Sequence, residues 1–238
     1  MNALTRARTA ALPLLPALLA AALLPSAAQA QVSPELCGPV YVQGDFGPYD
    51  YRYDKDKLGV VERAHFTSEV ELLVRGHSTA LVGTDLNYTL AKFPNHHRAL
   101  LSMLNLGKKL KSDQVPGAAH PVECYFERAL RFKRNDTVAR MLYVQYLIGR
   151  SRLAEAQEQV DEAARHAAGN ALTHYNIGLS YFELKAYDKA LTHAHEALKI
   201  GYTNQGLVER LKSVGQWREP EADKPTAAEP AASAASAP

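Results

Sequence analysis

The stretch ALTHYNIGLSYFELKAYDKALTHAHEALKIGYTN, residues 171–204, decides the fold class of this chain. Its large apolar residues recur at intervals of three and four, the period of one helical face; they are Leu172, Tyr175, Leu179 and Phe182. Lys185-Ala186 interrupts this stripe, and a second one begins at Tyr187. Two helices of about 13 residues each cannot bury their apolar faces alone. We therefore expect them to pack against each other and against a neighbouring pair.

Small residues stand where these two helices must approach each other closely. Gly178, Ala190 and Ala197 allow ridged helices to pack at short distance. Together with Tyr181 and Ala194 they follow the spacing of the tetratricopeptide signature, so the stretch resembles a tetratricopeptide repeat. The resemblance implies an all-α, right-handed solenoid that serves as an interaction scaffold and carries no chemistry of its own.

The same pattern extends towards the N-terminus in steps of about 34 residues, the length of a tetratricopeptide unit. One step back, Ala156, Val160 and Ala163 keep the small-residue spacing, and a further step reaches Phe126 and Ala129. The partner of this last helix is expected over 95–110, and an earlier pair over 68–75 and 85–94. The sequence thus predicts about four helical hairpins and a capping helix at 206–215 within a repeat domain of residues 67–217.

The resemblance also implies a concave groove lined by the first helix of each pair. The residues expected to bind a partner there are Leu101, Asn105, Lys108, Met141, Gln145, Ile148, Tyr175, Leu179, Phe182 and Glu183. Phe182 is expected to lie outside the packing positions, so that alanine there would weaken partner binding with little change in stability. Leu101 and Leu142 occupy positions where a carboxylate clamp needs polar residues, so no such clamp is expected.

Residues 1–30 have the composition of a secretory signal peptide. Two arginines precede an apolar run that is too short to span a bilayer comfortably, and Ala28-Gln29-Ala30 is a small-residue cleavage site. We expect cleavage after Ala30 and export to the periplasm or beyond, with no membrane insertion after cleavage. Residues 218–238 are rich in proline and alanine and lack aromatic residues, so this tail is expected to be disordered.

Charge and motifs exclude several functions. Residues 1–30 hold two of the 27 Lys and Arg and none of the 25 Asp and Glu, so the remainder has 25 of each. This balance gives no reason to expect nucleic acid as a partner. Residues 76–80 (GHSTA) only faintly resemble a nucleophile elbow. Residues 54–59 contain two carboxylates and the glycine of a calcium loop, but Leu58 occupies a ligand position and His65 stands in place of the bidentate Glu. We therefore expect no enzyme activity and no cofactor. We also expect no metal site, because the nine histidines do not stand at ligand spacing.

Cys37 and Cys124 are the only two cysteines. An exported chain enters an oxidising compartment, which favours a disulfide between them over a free Cys37 and a buried Cys124. The N-terminal segment, residues 31–66, is rich in tyrosine, glycine and proline. We expect it to be irregular and to cover the first helices, although its tyrosines could also form a ligand surface.

These expectations favour an exported scaffold that binds a protein or peptide in the groove of a helical superhelix. Roles in envelope assembly, secretion or polysaccharide export are typical of similar exported repeat proteins. The alternative is a helical repeat protein that binds a small molecule or a glycan.

Overall fold

A computed structural model describes residues 32–220, and every helix or strand assigned within that range is an α-helix. The helices are α1 (Pro34–Cys37), α2 (Lys55–His65), α3 (Ser68–Glu71), α4 (Val82–Lys92), α5 (His97–Leu110), α6 (Val122–Phe132), α7 (Thr137–Gly149), α8 (Leu153–Arg165), α9 (Ala171–Glu183), α10 (Tyr187–Lys199) and α11 (Gly206–Ser213). The predicted all-α class is confirmed. The predicted leader and residues 221–238 of the predicted tail lie outside the described residues.

The local structure repeats with the period read from the sequence. The offset between α7 and α9 is the same at their starts and at their ends, and it equals the offset between α8 and α10. Asp136 and Asn170 cap α7 and α9 by accepting a first-turn backbone N–H at 3.0 and 2.8 Å. After these helices Ser151 and Lys185 turn the chain with φ of 59° and 61°. Residues 137–199 are therefore two copies of one helical hairpin.

Small residues are buried where the two hairpins pack. At most 2% of the surface is exposed for Ala156, Val160, Ala163, Ala190, Ala194 and Ala197. A Cβ atom on Gly178 would lie 2.4 Å from Cδ2 of Leu207 in α11. A larger residue at this position would therefore force the buried Leu207 side chain to move.

From α5 to α11, the odd-numbered helices also contact one another. Helix α5 packs against α7, α7 against α9, and α9 against α11, in addition to the contacts between sequential helices. One continuous apolar core runs through this stack from Phe66 to Leu211. Within residues 32–220 no helix combines the length and apolar character needed to cross a membrane.

The N-terminal segment differs from the prediction that it is irregular. Helix α2 forms inside it and packs on α4, burying Leu58 and Val61. The helix expected over 68–75 is shortened to α3, because Leu73 adopts a left-handed φ of 59°. The partner of α4 is thus supplied mainly by α2, which carries only two buried apolar residues and so gives a weak periodic signal.

A buried polar network fixes the N-terminal segment to the helices. The Nδ2 group of Asn95 donates to Asp50 Oδ1 at 2.8 Å and to Asp136 Oδ2 at 2.7 Å. Its Oδ1 accepts the backbone N–H of Tyr51 at 3.0 Å, and Arg52 forms an ion pair with Asp50 at 2.8 Å. Burial raises the pKa of a carboxyl, but the hydrogen bonds from Arg52 and Asn95 outweigh it and hold the pKa of Asp50 well below its ordinary value.

The predicted disulfide is confirmed. Cys37 in α1 is bonded to Cys124 in α6, and both residues are fully buried. Beside the bond, Arg128 Nη1 donates to the backbone oxygens of Cys37 and Pro39 at 3.0 and 2.7 Å. The start of the N-terminal segment is therefore held to α6 both covalently and by charge-assisted hydrogen bonds.

His96 caps α5 as a neutral imidazole. Its Nδ1 accepts the backbone N–H of Ala99 at 3.1 Å, and its Nε2 lies 3.1 Å from Oε1 of Glu62. These partners assign the proton to Nε2, because an acceptor nitrogen carries none. Burial of the fully enclosed ring, together with the nearby Arg98 charge, lowers the pKa of His96 to about 3. The contact with Glu62 is thus a hydrogen bond from a neutral ring.

We expect His96 to make folding less stable as the pH falls below 6.5. Between its ordinary pKa of 6.5 and about 3 the unfolded chain binds a proton that the folded chain excludes. The free energy of unfolding then falls by about 1.4 kcal/mol per pH unit for a fully coupled group. In His96→Asn this contribution is lost while a good capping residue is kept. Urea unfolding between pH 4.5 and 6.5 measures how steeply the free energy of unfolding depends on pH in the wild type and in His96→Asn. Equal slopes in the two proteins would contradict the assignment of a neutral His96.

Candidate functional site

A groove lies between α7 and α9, and it joins four of the residues predicted to bind a partner. Its volume is about 210 Å³. The lining residues are Thr137, Val138, Met141, Leu142 and Gln145 from α7 and Thr173, Asn176, Leu179, Ser180 and Glu183 from α9. Met141, Gln145, Leu179 and Glu183 therefore line the same groove. Their helices are one repeat unit apart, so equivalent positions face the same groove.

The groove combines an apolar floor with polar side chains that have no hydrogen-bond partner within residues 32–220. Met141, Leu142 and Leu179 are partly buried against the core. The side chains of Gln145 and Asn176 are exposed and make no hydrogen bond among the described residues. A primary amide offers both donors and an acceptor, the groups that pair with a peptide backbone. Sequence reasoning missed Asn176, whose signal was a polar residue beside the apolar stripe.

The predicted residues of α5 lie outside this groove. Lys108 lines a separate cavity of about 260 Å³ between α5 and α7, together with Tyr146 and Arg150. Leu101 is 41% exposed and Asn105 is exposed. Neither lines one of the two cavities. The surface of α5 therefore offers an exposed continuation of the predicted binding face without a matching cleft.

Three predicted residues are held by packing instead. The ring of Tyr175 packs at a tilt against that of Tyr202, with centroids 4.7 Å apart, and its hydroxyl lies 3.3 Å from Oδ1 of Asn204. Phe182 packs on Tyr187 at 5.4 Å, and like Ile148 it is partly buried against the core. These contacts contradict the expectation that Phe182 lies outside the packing positions, since its ring already covers the start of α10.

The serine in the GHSTA stretch is not a free nucleophile. The Ser78 hydroxyl donates to the buried Asp85 carboxylate, which also lies 2.9 Å from His65 Nδ1 and accepts the backbone N–H of His77 at 2.7 Å. Burial raises the pKa of Asp85, but these hydrogen bonds hold it below its ordinary value. In a catalytic triad the imidazole lies between serine and carboxylate. Here the Asp85 carboxylate lies between Ser78 and His65, and its hydrogen bonds hold the loop at residues 77–78 against α4.

Two histidines that the sequence did not connect meet between α9 and α10. His174 Nδ1 lies 2.9 Å from His193 Nδ1, while His174 Nε2 lies 2.9 Å from the backbone oxygen of Ala168. Burial and the neighbouring His174 lower the pKa of His193 to about 4. A closed metal site uses three or four protein ligands. Within residues 32–220 no group of three or more His, Cys, Asp or Glu could hold a metal ion.

The tyrosines of the N-terminal segment are largely used in packing. Tyr49 lies 5.6 Å from Phe93, and Tyr51 lies 4.2 Å from His96, measured between ring centroids. Tyr53 is 73% exposed but stands apart from this packing. The segment therefore offers no paired aromatic faces for a sugar ring at Tyr49 and Tyr51.

No protein-family model matches this chain, and a search of curated proteins also finds no match. The functional argument consequently rests on the repeated hairpin and on the groove between α7 and α9.

Proposed function

We propose that this chain is an exported scaffold of the tetratricopeptide type that binds a peptide segment of another protein between α7 and α9. The observation that carries the proposal is the groove with an apolar floor and two amide side chains without partners. Peptide recognition needs such a combination, because apolar pockets hold side chains while amides pair with the peptide backbone.

The repeated hairpin supports the tetratricopeptide type. Helices of equal length recur at one fixed offset, and that offset matches the tetratricopeptide unit of about 34 residues. Contacts between alternate helices, from α5 through α7 and α9 to α11, are those of a stack of hairpins. We propose that these hairpins form a right-handed solenoid with α5, α7 and α9 on its concave side, as in the tetratricopeptide family.

The dimensions of the groove suit a short extended segment. Each of α7 and α9 has 13 residues, which gives a length of about 20 Å. An extended peptide of about six residues spans that distance. Glu183 makes no ion pair among the described residues and lines the groove, so a peptide with a basic residue beside its apolar anchors fits best.

The disulfide supports the proposed location outside the cytoplasm. A disulfide between Cys37 and Cys124 is compatible with an oxidising compartment. Together with the signal-peptide pattern of residues 1–30, it favours a periplasmic or secreted protein. In a cell envelope the scaffold would serve assembly, secretion or polysaccharide export by holding a partner there.

A site-specific crosslinker tests the groove in intact cells. A photoreactive residue placed at Gln145 should yield one discrete protein adduct, which mass spectrometry identifies. The same residue at Lys199, which is exposed on α10 outside the groove, should yield no such adduct. Equal adducts from both positions, or none from Gln145, would contradict the proposal.

The affinity of the identified partner provides the quantitative prediction. Replacing Gln145 and Asn176 together by alanine should weaken binding by about tenfold or more, because interface residues that matter contribute over about 1 kcal/mol each. Gln216→Ala is the matched control, since this amide is exposed outside the groove. Titration calorimetry measures the affinity of the partner for the wild type, the double variant and the control. An unchanged affinity in the double variant with the fold intact would remove the amides from the binding site.

A further inference from the structure

A third cavity lies away from the groove, between α6 and α8 and beside the start of α7. It has a volume of about 480 Å³, within the range of small-molecule sites. Four arginines line it: Arg131, Arg134, Arg140 and Arg165. No residue that lines this cavity also lines the groove between α7 and α9. The two sites therefore use different helix faces.

The charges around this cavity do not balance. Arg131 pairs with Glu127, and Arg165 pairs with Glu162. The side chain of Arg134 makes no ion pair or hydrogen bond among the described residues. The third carboxylate in the lining belongs to Glu158, which likewise has no ion-pair partner there. Two guanidinium groups, those of Arg134 and Arg140, thus face one unpaired carboxylate, which leaves a surplus of one positive charge.

Arg140 is the buried member of this group. The residue is 6% exposed, and no ion pair joins it to a carboxylate among the described residues. Its Nη1 donates to Gln159, its Nη2 donates to the backbone oxygen of Arg134 at 2.8 Å, and its Nε has no partner. A guanidinium has five N–H donors, so three remain without a protein acceptor.

The cost of this arrangement points to a ligand. Burial, together with the charges of Arg165 and Arg134, lowers the pKa of Arg140 to about 10. A buried charge without a counter-ion is destabilising by several kcal/mol. An arginine that served only packing would gain from a carboxylate partner, as Arg152 does with Glu123 at 2.7 Å. Around Arg140 the place of that carboxylate is left open.

We propose that this cavity binds a small carboxylic acid whose carboxylate pairs with Arg134 and Arg140. A planar carboxylate matches the fork of a guanidinium in two parallel hydrogen bonds. The carboxylate group brings one negative charge to the two guanidinium groups, whereas a phosphate dianion would bring two beside the unpaired Glu158. The inference is independent of the peptide groove.

A second unsatisfied atom narrows the ligand class. Oε2 of Glu127 is buried and has no hydrogen-bond partner, although its Oε1 pairs with Arg131. A buried carboxylate oxygen needs a donor. The ligand therefore carries an ammonium or hydroxyl group near its carboxylate, as in an amino acid or a hydroxy acid. The same carboxylate could belong to a free acid or to a peptide end.

Titration calorimetry of the full, oxidised protein at constant ionic strength tests the site. Glycine and lactate should each give saturable one-to-one binding at pH 7, while sulfate and phosphate should bind at least tenfold more weakly. Triglycine separates the two sources, because tighter binding than glycine identifies a peptide end and weaker binding identifies a free acid. Failure of all three acids to bind at millimolar concentrations would overturn the proposal.

Variants connect that binding to the named residues. Arg134→Gln should weaken it about tenfold or more, since hydrogen bonds to charged groups are lost. Arg134 is exposed, so its replacement leaves the fold intact. Arg63→Gln is the matched control, because Arg63 is an exposed arginine of α2 outside the cavity. Equal weakening in both variants, or none in Arg134→Gln, would overturn the assignment.

Discussion

Replacing Asn95 by alanine is expected to lower the free energy of unfolding by about 3 kcal/mol or more. The fully buried amide donates to two buried carboxylates, Asp50 and Asp136, at 2.8 and 2.7 Å. It also accepts the backbone N–H of Tyr51. Alanine leaves the two buried carboxylates and the partly buried N–H of Tyr51 with one partner fewer, and the loss of a partner by a buried polar group is destabilising by about 1–3 kcal/mol.

The matched control is Asn105→Ala. Asn105 lies on α5 as an exposed residue, and no hydrogen bond of its side chain is present among the described residues. The same chemical change there should alter stability by no more than about 0.5 kcal/mol. Urea unfolding followed by far-UV circular dichroism measures both variants. Equal midpoints for Asn95→Ala and Asn105→Ala would show that the network does not stabilise the fold.

The repeated hairpin could be predicted because its information is local. Small residues such as Ala156 and Ala190 must lie where helices touch. Their offset of one repeat unit is visible in the sequence without knowledge of any distant contact. Helices α7 to α10 follow this pattern, and the structure confirms both their existence and their buried positions. Near the N-terminus the same signal fades because longer connections separate the helices.

The N-terminal segment could not be predicted in the same way. Asn95 and Asp50 are 45 residues apart, and nothing in the sequence pairs them. Likewise α2 buries few apolar side chains of its own and depends on Phe93 and on the tyrosines Tyr49 and Tyr51 for its cover. Polar networks carry no periodic signal, since each partner is set by tertiary packing.

Helical spacing predicts which residues of the candidate site share a face, but it does not predict which of them are covered by neighbouring segments. Helical spacing places Met141, Gln145, Leu179 and Glu183 on one face, and they share a groove. Spacing alone does not distinguish a free aromatic from one covered by a neighbouring loop or helix, so the cover over Tyr175 and Phe182 was missed. The arginine-lined cavity joins α6, α7 and α8 and depends on which ion pairs form. Such pairing cannot be read from composition.

Removing the disulfide is expected to lower the free energy of unfolding by about 2–4 kcal/mol. The bond joins residues 87 apart in the sequence, and a cross-link over such a long loop restricts the unfolded chain strongly. In the variant with Cys37→Ala and Cys124→Ala this restriction is lost, while Arg128 still binds the backbone beside position 37. The folded structure should therefore persist with a lower urea midpoint.

The reduced wild type provides the matched control. Treatment with dithiothreitol should shift its midpoint to that of the double alanine variant, because both lack the same cross-link. Thiol labelling of the denatured, unreduced protein should detect no free cysteine. Two labelled thiols per chain, or a midpoint that reduction leaves unchanged, would contradict a stabilising disulfide.

Combining the disulfide variant with Asn95→Ala shows how the N-terminal segment is coupled to the repeats. Both changes release the same segment, at Cys124 and at Asn95, and its apolar cluster around Phe93 is separate from the main core. If either change lets the segment detach before the repeats unfold in urea, the second change has little left to weaken. We therefore expect the combined loss to be smaller than the two single losses added together. An additive loss would instead mean that the segment and the repeats unfold in one cooperative step.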